Sequence, residues 1–146
     1  MQFCELTFGD RYCDGHGQHR SLIVTTNNYE SIQKAQDKIR SLNLNIANDY
    51  HDGTICEDTW KLLLKSNYTL ESLAAAADDI SWDNYKNLEE AYNDIFHSNE
   101  DVEYWLNIDA VMDIYVHLLQ YFGAEFNVVN IQNTIDCYAG YGCFYE

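Results

Sequence analysis

The spacing of apolar residues changes twice along this chain, and that pattern excludes most folds. In Gln2-Phe-Cys-Glu-Leu-Thr-Phe8 and Ser21-Leu-Ile-Val-Thr-Thr26 the apolar and β-branched residues alternate or run together, as in strands. From Tyr29 to Phe122 they recur every three or four positions, the spacing of a helix face. Phe126-Asn-Val-Val-Asn-Ile131 and Ile135-Asp-Cys-Tyr138 return to a strand-like pattern. This order predicts an α+β fold: an N-terminal β-hairpin and C-terminal strands in one antiparallel sheet, with four to five helices between. A chain of 146 residues suits a single domain, residues 1–146, within which residues 55–123 could form a helical subdomain.

Local signals place the elements. Residues 9–19 are rich in Gly and Asp and read as the long tip of the hairpin. Asn27 with Glu30 reads as a capping pair for a helix whose inner face is Tyr29, Ile32, Ala35, Ile39 and Leu42. Thr54 with Glu57 reads as a second capping box, for a helix through Trp60, Leu63 and Leu64, and Thr69 caps a short helix to Ala77. Ser81 is expected to open a helix to His97 that turns Trp82, Tyr85, Leu88, Tyr92, Ile95 and Phe96 inward. Ser98 with Asp101 starts another, which ends at Gly123 and can break at Asn107-Ile-Asp109. Proline is absent, consistent with turns built from Gly, Asn and Asp.

Charge is distributed unevenly over this framework. Residues 1–65 hold seven basic and nine acidic side chains, a net of −2, whereas residues 66–146 hold fifteen acids and one base, Lys86, a net of −14. Eleven of those acids lie between positions 78 and 113. Lys is nearly absent where pairing along a helix would favour it, and Tyr and Trp are interleaved with the acids. Fourteen net charges match about 24 Å of duplex DNA, or some seven base pairs. Such a face repels nucleic acid and attracts the basic surfaces that bind it. The expected partner-binding residues are Asp78, Asp79, Asp83, Glu89, Glu90, Asp94, Glu100, Asp101 and Glu103, with Trp82, Tyr85 and Tyr104 as aromatic anchors at the centre of the contact. The alternative is an ordinary solvated acidic surface.

Other chemistry is sparsely represented. Cys13, His16 and His19, with Cys56 or His51, could surround a tetrahedral zinc, but their spacing matches no zinc signature. Asp10 and Asp14 near Gly15 do not meet the spacing of a calcium loop. No phosphate-binding loop, dinucleotide fingerprint, nucleophile elbow or zincin motif occurs, so a non-enzymatic protein without a cofactor is expected. Five Cys without a disulfide-framework spacing, no export signal and no long apolar run lead to the expectation of a cytoplasmic protein with reduced thiols.

The acids at 78–113, with interleaved Trp82, Tyr85, Tyr92, Tyr104 and Trp105, resemble the anti-defence inhibitors of phages and mobile elements: the anti-CRISPR and antirestriction proteins. The stretch Ile131-Gln-Asn-Thr-Ile-Asp-Cys-Tyr-Ala-Gly-Tyr-Gly142 is similar to a segment near the end of ArdA-like antirestriction DNA mimics. The resemblance implies an inhibitor, working in the host bacterial cytoplasm, that occupies the DNA or RNA channel of a Cas nuclease or restriction enzyme. Two other readings stand beside it: an immunity or antitoxin protein against a toxin nuclease, and a small-molecule or metal-binding module built on residues 9–19. Composition leaves a homodimer open.

Overall fold

In the computed structural model, the described residues are 1–9, 19–42, 55–76, 82–99, 102, 104, 108–130, 135 and 137. The fold is α+β. Strands β1 (Gln2–Gly9) and β2 (His19–Thr26) pair antiparallel from Gln2 opposite Thr26 to Gly9 opposite His19. Helices α1 (Tyr29–Ser41), α2 (Glu57–Lys65) and α3 (Leu70–Ala76) follow. A 3-10 turn at Trp82–Asn84 precedes α4 (Leu88–His97) and α5 (Ile108–Tyr121). The short strand β3 (Asn127–Val128) returns to pair with β2, giving the order β1-β2-β3. The two ends of the described chain thus meet in one antiparallel sheet, as the periodicity predicts.

Alternation decides which face of the sheet is covered. Val24 and Phe8 point inward and are buried, with Cys4, Leu6 and Leu22 half-buried beside them. The helix packed on this face is α5, which also contacts α1 and α3. Its buried residues Ala110, Val111, Ile114, Leu118 and Leu119 follow helical spacing, and Tyr115 meets Phe8 edge-on with ring centroids 5.4 Å apart. Each fully buried aliphatic side chain here contributes about 1.5–3 kcal/mol. The core continues through Ile32, Ala35 and Ile39 of α1 and Leu70 and Leu73 of α3 to Trp60 and Leu63 of α2. Tyr29 and Leu42, expected on the inner face of α1, are 45% and 39% exposed, because they flank the two ends of its buried stripe.

Several boundaries differ from expectation. Helix α1 is capped by Asn28 rather than Asn27. Thr26 Oγ1 holds the Asn28 N–H at 2.9 Å, and Asn28 Oδ1 accepts the Ser31 N–H at 3.2 Å. The N-cap of α2 is Cys56, which makes no side-chain cap bond, so Glu57 does not face Thr54 in a capping box; Thr54 itself lies outside the described residues. Thr69 does cap α3, accepting the Ser72 N–H at 3.2 Å. The helix expected from Ser81 to His97 is divided. Asn87 has extended backbone angles and its Oδ1 accepts the Glu90 N–H at 2.9 Å, while Glu90 Oε2 accepts the Lys86 N–H at 2.8 Å. An N-cap residue cannot also continue an upstream helix, so α4 begins at Leu88. Helix α5 begins at Ile108, inside the predicted break. The expected strand at 126–131 is two residues long, and most of the Ile135–Tyr138 segment lies outside the described residues.

Two helices end in the same motif. After α2, Asn67 takes a left-handed φ of 59°, with Tyr68 N–H bonded to Leu63 O at 3.0 Å and Asn67 N–H to Leu64 O at 3.2 Å. After α5, Gly123 takes φ 100°, with Ala124 N–H on Leu119 O at 2.9 Å and Gly123 N–H on Gln120 O at 3.0 Å. These are Schellman terminations, and they turn the chain back onto its own core.

Candidate partner-binding face

Helix α4 carries the described part of the expected acidic face. Leu88, Ala91 and Tyr92 are buried and Ile95 and Phe96 half-buried, leaving Glu89, Glu90, Asn93 and His97 exposed on the other side. Helix α2 packs against α4. The Glu57 and His97 side chains meet at 3.4 Å, so the N-terminal turn of α2, with Glu57 and Asp58, adjoins the C-terminal end of α4. Acids therefore flank both ends of a helix about 15 Å long, with Lys61 acting on the Glu57 carboxylate.

The three described acids of the expected face have different roles. Glu89 is exposed, with no hydrogen bond or ion pair among the described residues. Glu90 is exposed but accepts the Lys86 N–H at the N-terminus of α4. Asp94 is half-buried and accepts the Tyr85 hydroxyl at 2.6 Å. Asp78, Asp79, Glu100, Asp101 and Glu103 lie outside the described residues, as does the Asp83 side chain.

The aromatic residues correct the expectation of surface anchors. Trp82 is 3% exposed and Tyr104 6%. Both pack with Trp60 in a buried cluster whose ring centroids lie 6.0–6.3 Å apart. The Tyr104 hydroxyl is saturated: it accepts Trp60 Nε1–H at 2.9 Å and the Ile55 N–H at 3.0 Å, and donates to Ile55 O at 2.8 Å. Trp82 Nε1 is buried without a hydrogen-bond partner among the described residues. Large aromatic area favours burial over solvent unless a partner protein covers it. Tyr85 is half-buried beside Trp82.

The tyrosines instead serve the carboxylates. Tyr85 donates to Asp94, Tyr92 donates to Glu57 at 2.5 Å, and Tyr68 donates to Asp113 at 2.5 Å. In the last two pairs the shifts keep the phenol neutral. The Glu57 carboxyl is held below its ordinary value, chiefly by the Tyr92 hydroxyl. The Tyr92 phenol is pushed up to about 12, chiefly by its bond to Glu57, and the Tyr68 phenol is raised by burial and then by Asp113. A phenol fixes a carboxylate without cancelling its charge, which an ammonium would do. The scarcity of Lys and the abundance of Tyr are thus two sides of one arrangement. Sequence spacing could have suggested only Tyr85 and Asp94, nine positions apart; the other two pairs join α4 to α2 and the α2–α3 connection to α5.

A second polar cluster lines a groove of about 190 Å³ beside α5, formed by Tyr68, Ser72, Asp113, His117 and neighbouring side chains. Ser66, His117 and Asp113 lie together here without forming a nucleophilic triad. Ser66 Oγ gives its proton to Leu63 O at 3.1 Å, so it accepts in its 2.8 Å contact with His117 Nε2, and Asp113 is engaged by Tyr68. An activated serine would give its proton to the imidazole.

For the zinc set, Cys13, His16 and His51 lie outside the described residues, as does the His19 side chain. Cys56 Sγ lies 3.3 Å from Thr59 Oγ1. Among the described residues no group of three His, Cys, Asp or Glu side chains could hold a metal ion, and no helix is long and apolar enough to cross a membrane. No family model, curated protein or solved structure matches the chain.

Proposed function

We propose that this protein binds, through its acidic helices, a basic surface of a nucleic-acid-processing enzyme and blocks it, occupying the site where phosphates would lie. The target class is a Cas or restriction nuclease, and the setting is the bacterial cytoplasm. The observation that carries this reading is the set of three phenol–carboxylate pairs, Tyr85–Asp94, Tyr92–Glu57 and Tyr68–Asp113. They fix carboxylates in position and leave their charge available to an incoming Arg or Lys. A surface that needed charge only for solubility would gain more from mixed signs. With the aromatic rings buried in the core, attraction here rests on charge more than on aromatic anchors, so binding is fast at low salt and weakens steeply as salt rises.

The test is capture from bacterial lysate on the immobilised protein, followed by elution with salt and competition with duplex DNA. The expected result is a basic nuclease retained at low salt, released by high salt, displaced by DNA, and lost with the triple variant Glu57→Gln, Asp58→Asn, Glu89→Gln. If the same nuclease binds this variant equally well, the acidic helices are not the binding face. If DNA fails to displace it, the protein does not occupy the substrate channel.

A further inference from the structure

Among the described residues β1 is an edge strand, and the hydrogen-bond pattern identifies the backbone groups it leaves unpaired there. Val129 donates its N–H to Ile23 O at 2.9 Å, so Ile23, and Thr25 two positions on, turn their backbone groups toward β3. Pairs alternate in an antiparallel ladder. The β2 residues that bond β1 are therefore Leu22, Val24 and Thr26, opposite Leu6, Cys4 and Gln2. It follows that the N–H and C=O groups of Phe3, Glu5 and Thr7 point away from the sheet. Among the described residues nothing pairs with them, and all three side chains are exposed, Phe3 to 71%.

Edge strands are normally protected by Lys, Pro, a bulge or a short length. β1 has none of these. It pairs over eight residues in unbroken register, contains no Lys or Pro, and its one charged side chain, Glu5, accepts the Ser21 hydroxyl at 3.0 Å.

We propose that this edge pairs antiparallel with the same edge of a second copy of the chain, joining two three-stranded sheets into one of six strands. Two arguments select a second copy as the occupant. A strand edge related to itself by a two-fold axis offers matching donors and acceptors, the isologous arrangement of most homodimers. Charge supplies the other argument: of the net −16, strands β1 and β2 carry one acid, Glu5, and one base, Arg20, so two copies repel least at this sheet. Register is constrained by Glu5. A dyad at Cys4 sets Glu5 opposite the partner's Phe3, and a dyad at Leu6 sets it opposite the partner's Thr7. Only a dyad at Glu5 brings two carboxylates together, which is unfavourable directly across a ladder. Either permitted register leaves the acidic helices free.

Sedimentation velocity over a wide concentration range, at low and high NaCl, tests the proposal. The dimer fraction should rise with protein and also with salt, because salt screens repulsion between copies. Thr7→Pro removes one outward N–H while leaving the β1–β2 bonds intact. It should weaken the dimer by about tenfold or more, since two symmetry-related bonds are lost. Phe3→Lys should do the same through charge and lost apolar contact, and it serves if the Pro variant fails to fold by near-UV circular dichroism. A protein that stays monomeric under all conditions overturns the proposal, even if the edge captures an extended segment of another protein. A dimer that persists unchanged in the folded variants overturns it as well. The outcome is independent of nuclease binding, which salt should weaken rather than strengthen.

Discussion

The Tyr104 hydroxyl lies 2.9 Å from Trp60 Nε1 across 44 positions of sequence, and it also closes both backbone groups of Ile55. This one oxygen satisfies the indole of α2 and the residue that leads the chain into that helix. Burial raises the Tyr104 phenol above its ordinary value, so it stays protonated and able to donate. Tyr104→Phe keeps the ring packing but leaves buried polar groups without partners, at about 1–3 kcal/mol for each group left unsatisfied. Urea unfolding should show a lower midpoint with an unchanged slope. An unchanged midpoint would mean that the hydroxyl contributes nothing to holding α2.

The Tyr92–Glu57 pair makes stability depend on pH at both extremes. The folded Glu57 carboxyl titrates below its ordinary 4.5, so its contribution is complete above that pH and lost as pH falls through the lowered value. The folded Tyr92 phenol titrates at about 12 rather than 10.0, so its contribution is complete below pH 10.0 and lost as pH rises through about 12. Tyr92→Phe should flatten the acid limb of the stability profile. It should also remove one late-titrating phenol from the absorbance titration. A wild-type acid limb in this variant would assign the dependence to other carboxylates.

His117 acts in a third range of pH. Burial lowers it below its ordinary 6.5, against smaller opposing effects of Ser66 and Asp113. The unfolded chain therefore takes up this proton more readily than the folded one. Stability from a neutral His117 is complete above about pH 6.5 and declines as pH falls through the lowered value. The imidazole proton resonance of His117 should show a midpoint below the ordinary value, and His117→Gln should reduce the loss of stability toward mildly acidic pH. A midpoint at or above the ordinary value would contradict this.

The elements that could be read from the chain were those whose signal is local. The hairpin follows from two β-branched runs around a loop of turn formers, and its eight-residue register matches the predicted strands closely. The end of α5 follows from Gly123. The start of α4 was equally local, in Asn87 and Glu90, but the inward spacing of Trp82, Tyr85, Leu88 and Tyr92 continues across the cap and conceals it. Burial of Tyr104 could not be inferred, because its partners Ile55 and Trp60 are 49 and 44 positions away. The same holds for Tyr68 with Asp113 and Tyr92 with Glu57, 45 and 35 positions apart. An acid next to a Tyr in sequence therefore gave little indication of which acid that Tyr would hold.

Glu89 and Glu90 are adjacent and both exposed, yet reversing their charge should have different effects. Glu90→Lys removes the acceptor for the Lys86 N–H and puts a cation in the first turn of α4, costing about 0.5–2 kcal/mol of stability. Glu89→Lys shares only the unfavourable first-turn charge, about 0.3–1 kcal/mol. If the acidic helices steer a basic partner, both variants should slow association to a similar degree at low salt, and the difference should vanish at high salt. Stopped-flow association rates beside urea midpoints separate the two effects. Equal midpoints for the two variants would show that the Glu90 contact to Lys86 does not stabilise α4.

Asn67 carries the only left-handed backbone among the described non-glycine residues, at φ 59°. It terminates α2 immediately before Tyr68, so its conformation sets the direction from which that phenol reaches Asp113. A side chain with Cβ and no local hydrogen-bonding capacity pays about 1–2 kcal/mol there, whereas Gly pays none of it. Asn67→Ala should therefore lower the urea midpoint, and Asn67→Gly should match or exceed the wild type. The Tyr68–Asp113 bond offers a second readout. If Asn67→Ala alters the turn, the Tyr68 phenol should titrate nearer its ordinary 10.0. A destabilised Ala variant with Tyr68 unchanged would confine the strain to the turn, and equal midpoints for Ala and Gly would show that φ at this position is not held by the Schellman bonds.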